Sequence, residues 1–223
     1  MKIVIVSDTH TMHRQIEVPD GDVLIHCGDW THRGEEHAIA DFLDWLVSQP
    51  HKFKIFIAGN HELSLEGVTR EKSLKLIKSY TDTINNLYFL ENSGVTIDGL
   101  NFYGSPVTPY FCGWAFNFQR GKDIAAEWKK IPDNVNVLIT HGPPYGILDL
   151  VEDFGSNKGR DLHQGCKDLE ERIKDLREVE LHCFGHLHTD GGKSEKVKGV
   201  TYVNAAICTE EYRPTNLPVV VEL

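Results

Sequence analysis

Apolar residues along this chain come in short runs that break off abruptly at small or polar residues. The runs at 2–7, 22–27, 53–58, 136–140 and 180–184 are rich in β-branched and aromatic side chains and contain no proline, so each reads as a buried strand. Each then stops at a short polar segment: Asp8-Thr9-His10, Gly28-Asp29, Gly59-Asn60-His61-Glu62, His141-Gly142 and Gly185-His186-Leu187-His188. Between the runs, helical spacing predicts helices at about 35–47, with Ile39, Phe42, Leu43 and Leu46 on one face, and at about 70–80, with Leu74, Ile77 and Tyr80 inward. The stripe Lys72, Lys75 and Lys78 reads as the solvated face of the second helix. Further helices are expected at about 122–130 and 166–176.

Strand, loop, helix, strand is the βαβ rhythm of an α/β protein. From residue 87 to 105 the pattern changes to short strands, and Asp98-Gly99 between apolar residues is a strong hairpin signal. Terminal strands are expected at 197–203 and 218–223. Two loops stand apart. Residues 106–119 carry Tyr110, Phe111, Trp114, Phe116 and Phe118, which read first as local packing and second as the border of a pocket. The long polar loop 142–165, with Gly155, Gly159 and Gly165, is expected to act as a lid. Without a linker, internal repeat or low-complexity run, a single domain over 1–223 is the simplest organisation.

Composition narrows the class. With 40% hydrophobic and 25% charged residues the chain is an ordinary globular one. No apolar segment is long enough to span a bilayer, and the start of the chain lacks the pattern of an export signal. A formal charge of −10 argues against an extended nucleic acid as partner. The five cysteines are odd in number and lack paired spacing, and Cys27, Cys183 and Cys208 lie in or beside apolar runs, which fits a reduced cytoplasm.

The polar residues at the strand ends carry the chemistry. Asp8, His10, Asp29, Asn60, His141, His186 and His188 offer carboxylate, imidazole and amide ligands, with no thiolate among them. Taken singly, each has a bland reading as a turn or a satisfied core residue. Jointly they do not, because histidine has no reason to cluster after apolar strands. Mixed nitrogen and oxygen ligation suits Mn²⁺, Fe²⁺, Zn²⁺ or Ni²⁺ better than Mg²⁺ or Ca²⁺. Seven ligands exceed what one ion uses, whereas two ions about 3.5–4 Å apart can share them through a bridging carboxylate.

The order Asp-x-His, Gly-Asp, Gly-Asn-His-Glu, a lone His before Gly, then Gly-His-x-His resembles the calcineurin-like metallophosphoesterases from residue 3 to residue 188. Within that superfamily, Gly59-Asn60-His61-Glu62-Leu63, Thr140-His141-Gly142-Pro143-Pro144 and Val203-Asn204-Ala205 are most similar to the small metallophosphoesterase-domain proteins, which are like class III cyclic nucleotide phosphodiesterases. The resemblance implies a four-layer α/β/β/α sandwich of two mixed sheets flanked by helices. It implies that Asp8, His10 and His188 hold one ion, that Asn60, His141 and His186 hold the other, and that Asp29 bridges. His61 then stays free as general acid, and Arg33, if it points inward, clamps a phosphoryl oxygen. One departure stands out: Gly28-Asp29-Trp30-Thr31-His32-Arg33-Gly34 has His32 where the protein Ser/Thr phosphatases carry an aspartate, so the group that orients His61 is open.

The expected activity is dinuclear-metal-dependent hydrolysis of small phosphodiesters, cyclic nucleotides included, by in-line attack of a hydroxide held between two divalent ions, with Mn²⁺ the leading metal. The partner is then a small phosphodiester or nucleotide, with no membrane and no extended nucleic acid. A phosphomonoesterase or protein phosphatase is the alternative among enzymes, and a metal-holding scaffold without turnover is the alternative outside them.

Overall fold

A computed structural model describes residues 1–151 and 162–223. In chain order the elements are β1 (Lys2–Val6), β2 (Val23–His26), α1 (Glu36–Ser48), β3 (Phe53–Phe56), α2 (Arg70–Thr81), β4 (Leu87–Phe89), β5 (Ser93–Ile97), β6 (Leu100–Ser105), β7 (Thr108–Pro109), β8 (Asn117–Phe118), α3 (Lys122–Trp128), β9 (Val137–Thr140), α4 (Lys167–Asp175), β10 (Leu181–Phe184), β11 (Lys193–Val197), β12 (Val200–Asn204) and β13 (Val219–Glu222). One sheet has the order β13-β1-β2-β3-β4 and the other β11-β12-β10-β9-β6-β5. Both are mixed: β1, β2, β3 and β4 are parallel with β13 antiparallel at the edge, and β6, β9, β10 and β12 are parallel between antiparallel β5 and β11.

The period of two along each strand sorts the side chains into layers. Ile3, Ile5, Val23, Ile25 and Ile55 from the first sheet meet Phe102, Val137, Ile139, Leu181 and Val203 from the second in one core between the sheets. The alternate residues Val4, Val6, Leu24 and Phe56 turn outward and pack against α1 and α2 through Ile39, Phe42, Leu43, Leu46 and Ile77. On the other side Leu138, Phe184 and Tyr202 meet Ile124 and Trp128 of α3 and Leu169 and Ile173 of α4. The result is the expected four-layer α/β/β/α sandwich. Complete burial of an Ile, Leu or Phe contributes roughly 1.5–3 kcal/mol, so these three clusters dominate the fold's stability.

Helix bounds follow the periodicity to within two residues. The Asp98-Gly99 hairpin forms as expected between β5 and β6, with both turn residues in the left-handed region (φ 48° and 88°). The expected strand at 197–203 is instead half of a second hairpin, β11–β12, which turns at Lys198 and Gly199 (φ 50° and 94°). β11 is an edge strand whose first four residues are exposed, so it carries no apolar alternation to read. β7 and β8 pair within the aromatic loop, another feature without periodicity. All five cysteines are free, four of them buried. Among the described residues no helix is long and apolar enough to cross a membrane.

Candidate metal centre

Five parallel strands, β1, β2 and β3 of one sheet and β9 and β10 of the other, end along the same edge of the sandwich. The loops leaving them are stitched together by backbone hydrogen bonds: Asp8 N to Gly28 O (3.0 Å), His10 N to Asp29 O (3.0 Å) and Gly185 N to His141 O (2.9 Å). A parallel bridge between Ser7 and Ala206, with Ile207 N donating to Ser7 O (2.9 Å), ties the two sheets together at this edge. Asp8, His10, Asp29 and His186 all sit in the left-handed region (φ 51°, 42°, 55° and 69°), a conformation that non-glycine residues keep only where surrounding contacts impose it. Two glycines permit the crowding. A Cβ on Gly59 would stand 2.2 Å from Asp29 Oδ1, and one on Gly185 would stand 1.9 Å from Asp8 Oδ2.

The donor atoms converge in three overlapping sets, Asp8/His10/His188, His10/Asp29/His61 and Asp29/His141/His186, with the atoms of each set within 4.8 Å of one another. Asp29 is central: its Oδ2 lies 3.2 Å from His141 Nε2 and 3.9 Å from His61 Nε2. Asn60 Oδ1 accepts from His141 Nε2 at 2.9 Å, and Asp8 Oδ1 lies 3.4 Å from His188 Nε2. All seven residues expected as ligands are therefore brought together.

Four imidazoles are aimed by one device. Nδ1 of His61, His141, His188 and His10 donates to the backbone oxygens of His32 (2.8 Å), Cys27 (2.9 Å), Thr209 (3.0 Å) and Thr31 (3.3 Å), respectively, which leaves Nε2 facing the centre. Such partners fix tautomer and ring orientation at metal sites. The carbonyl of His32 also answers what orients His61: a backbone oxygen stands in for the missing carboxylate.

Electrostatics divide the centre into matched halves. Burial alone would raise Asp8 and Asp29, but His188 with His141 in the first case, and His141 with His61 in the second, hold both carboxyls well below the usual range. Burial would lower His141 and His188, and is outweighed by Asp29 and Asp8, so both imidazoles are pushed up to about 9. Burial prevails at His10 and His186, which fall to about 4. His10 Nε2 is buried without a partner, and Asp8 Oδ1, buried too, has no hydrogen bond beyond its 3.4 Å ion pair with His188. Orphaned polar atoms of this kind are costly in a folded interior, and a cation within the Asp8/His10/His188 set satisfies both. The donor set fits divalent transition-metal ions.

Arg33 is placed differently. It is exposed, with its guanidinium carbon 5.6 Å from the centre of the Trp114 ring rather than near the carboxylates. Trp114 in turn stacks on His61, with ring centres 4.3 Å apart and planes at 25°. Glu62, within the Gly59–Glu62 motif, is a site residue that pattern reading passes over. Fully buried, it accepts from Gly59 N (2.7 Å), Asp29 N (3.0 Å), Thr31 N (2.9 Å) and Thr31 Oγ1 (2.9 Å), and so locks the β2 and β3 loops together. Burial and then the charge of Asp29 push its carboxyl up to about 8, against the pull of those donors.

Above the centre opens a cleft of about 470 Å³, lined by Asp29, Asn60, His61, His186 and His188 at its base. Its walls include Pro109, Tyr110, Phe111 and Trp114, so the aromatic loop does border a pocket, and Arg120 is the one lysine or arginine lining it among the described residues. Of the loop at 142–165, residues 152–161 lie outside the described residues, and the expected lid with them. The described part is pinned by buried Asp149, which accepts from Gly146 N (2.9 Å), Gly165 N (2.9 Å) and His163 Nδ1 (2.5 Å).

Known proteins share this sequence and architecture. Residues 1–190 match the family model described as calcineurin-like phosphoesterase. Metallophosphoesterase domain-containing protein 1 of Homo sapiens is 39% identical over 241 aligned residues that cover 100% of this chain and 71% of that protein. UPF0046 protein K07C11.7 of Caenorhabditis elegans is 37% identical, over 99% of this chain and 74% of its own length. The solved structure of Termus thermophilus sulfate thiohydrolase SoxB in complex with glycerol shares the fold at a TM-score of 0.51 and 12% identity, covering 92% of this chain and 51% of that one. With its strand-end aspartates and histidines gathered into a metal-binding array, the chain belongs to the calcineurin-like phosphoesterase family and is a metal-dependent phosphoesterase.

Proposed function

We propose that this centre hydrolyses small phosphodiesters, cyclic nucleotides among them, and that Mn²⁺ is its working metal. The observation that carries the reading is the character of the cleft. Pro109, Tyr110, Phe111, Trp114, Val151 and Leu187 give it apolar and aromatic walls, while among the described residues Arg120 is the single lining side chain with a permanent positive charge. A diester brings one negative charge and two organic substituents, which such walls accept. A monoester dianion brings a second charge that calls for more cations.

Asp8, His10 and His188 would hold one ion and Asn60, His141 and His186 the other, with Asp29 between them. When bound, divalent ions supply Lewis acidity and an activated water near neutral pH. The chain supplies the rest. Because Nδ1 of His61 is engaged by the His32 carbonyl, Nε2 is the nitrogen left to hand a proton to the leaving alkoxide. Trp114 stacked on that ring limits its rotation, and Arg33 lies against Trp114, so Arg33 acts on His61 from behind rather than on the phosphoryl group. Glu62 keeps Asp29 and Asn60 in register by holding both loops.

Comparison of bis(4-nitrophenyl) phosphate with 4-nitrophenyl phosphate, with Mn²⁺ added, tests the reading. The expected kcat/KM is at least about tenfold higher for the diester, or about 1.4 kcal/mol of transition-state binding. The reverse order would make the protein a phosphomonoesterase. A metal-loaded chain that turns over neither would be a scaffold.

A further inference from the structure

The family match ends at residue 190, yet a later segment is built into the centre. After the Ser7–Ala206 bridge the chain runs along the end of β1, with Cys208 N donating to Asp8 O (3.3 Å), and then makes a tight turn. The turn is closed by Thr209 N to Arg213 O (2.9 Å), Tyr212 N to Thr209 O (2.8 Å) and an antiparallel bridge between Cys208 and Pro214. It does two things for the same pair of imidazoles. Thr209 O takes the Nδ1 proton of His188, and the Tyr212 ring lies 4.8 Å from the ring of His10 and 5.5 Å from that of His188.

His10 needs that support. Its Nδ1 bond to Thr31 O is the longest of the four aiming bonds, at 3.3 Å, and its Nε2 is buried without a partner. Of the four aimed rings this is therefore the one hydrogen bonding fixes least, and packing must do more. Tyr212 is held in the left-handed region (φ 56°) although the residue is 45% exposed. An aromatic residue in that conformation is an outlier, which persists only where surrounding contacts over-determine it.

We propose that Tyr212 is a positioning residue for the His10–His188 half of the centre: its ring sets the two imidazoles so that this half binds its ion with full affinity. The inference rests on the metal reading given above. It concerns one half alone, because no ring contact joins Tyr212 to His141 or His186 among the described residues.

The experiment titrates Mn²⁺ into the metal-free full chain as wild type, Tyr212→Phe, Tyr212→Ala and Tyr212→Leu. Heat and elemental analysis give affinity and stoichiometry, and melting of each metal-free protein serves as the check on folding. Wild type and Tyr212→Phe should bind two ions per chain. Tyr212→Ala should keep one ion at wild-type affinity and bind the other about 10- to 100-fold more weakly, the usual cost of losing an outer partner at a metal site. Tyr212→Leu, which keeps apolar volume without a planar face, should follow alanine and decides the matter if the alanine variant melts early. Wild-type affinity at both sites in Tyr212→Ala and Tyr212→Leu overturns the proposal, as does equal weakening of both sites in a variant that melts normally. If wild type itself binds no ion, the metal reading falls and takes the proposal with it.

Discussion

Two groups of buried and half-buried histidines lie within a few residues of each other in this molecule, and they do opposite things. His26 ends β2 and His182 lies within β10, each turned outward into the layer between sheet and helices. His26 packs against Phe42 and Trp45, and His182 against Phe184 and Tyr202. Each spends a ring nitrogen on a threonine hydroxyl, His26 on Thr9 (3.0 Å) and His182 on Thr140 (2.8 Å). His10, His61, His141 and His188 come after strands have ended; their Nδ1 atoms are taken by backbone carbonyls and their Nε2 atoms converge on carboxylates. The difference teaches that place relative to the strand end, not burial, decides the role. A side chain inside a strand is committed to one face of one sheet, whereas a side chain just past the end can meet others from both sheets.

The comparison breaks most visibly at Asp29, where the strand-end set shares its central carboxylate. Asp29→Ala should lose both metal ions by elemental analysis and at least about a thousandfold in kcat/KM, or about 4 kcal/mol. His182→Phe, by contrast, should keep the full metal complement. Two ions retained in Asp29→Ala would contradict the bridging role.

Next in size is the lock behind the ligands. Glu62→Ala leaves the buried N–H groups of Gly59, Asp29 and Thr31 without their acceptor, which should destabilise the protein by about 3 kcal/mol in urea unfolding. A loss under about 1 kcal/mol would mean that water replaces the carboxylate and that the loops hold themselves.

His61 sharpens the contrast among the strand-end residues themselves, since it stands 3.9 Å from Asp29 yet is assigned a proton rather than a metal. His61→Asn should lower kcat about a hundredfold for an alkyl leaving group and far less for nitrophenol, whose anion departs without protonation. Equal losses for both would remove the general-acid role.

The distinction between the two groups was legible in the sequence because apolar runs fix where strands stop. Asp8, Asp29, Asn60, His141 and His186 each follow such a stop, and the unbroken apolar runs at 2–6, 23–26 and 137–140 mark strands covered on both faces, while the layer each residue faces becomes visible only in the folded sheets. What stayed hidden lacks that signal. β11 reads as polar because Lys193, Ser194, Glu195 and Lys196 are all exposed on an edge. Glu62 looks like any acidic loop residue until four donors are seen around it. Trp114 and Tyr212 reach the centre through loops whose course no periodicity encodes. The backbone carbonyls that aim the imidazoles have no side chain to announce them.

The smallest effect tests the packing group on its own terms, through pH. Thr140 Oγ1 donates to Gly142 O (2.7 Å), so the proton in the Thr140–His182 bond belongs to His182 Nε2. Nδ1 of that ring is buried without a partner, and His182 is therefore neutral. Gly28 N likewise donates to Nδ1 of His26 (3.3 Å), which requires that nitrogen to be bare. Burial holds both rings at about 3, whereas an imidazole in the unfolded chain titrates near 6.5. Above that value neither state takes the proton and stability is flat with respect to these groups. As pH falls below it the unfolded chain gains protons that the fold refuses, so stability is lost progressively down to about 3. At pH 5 the cost is about 2 kcal/mol for each ring. His182→Phe removes one of the two titrations while Thr140 keeps its bond to Gly142, so the stability difference between pH 7.5 and pH 5 should shrink by about 2 kcal/mol. The strand-end histidines titrate in both proteins and cancel from this difference. A pH slope identical in variant and wild type would mean that His182 already accepts a proton in the folded state, and the two groups of histidines would then no longer be distinct.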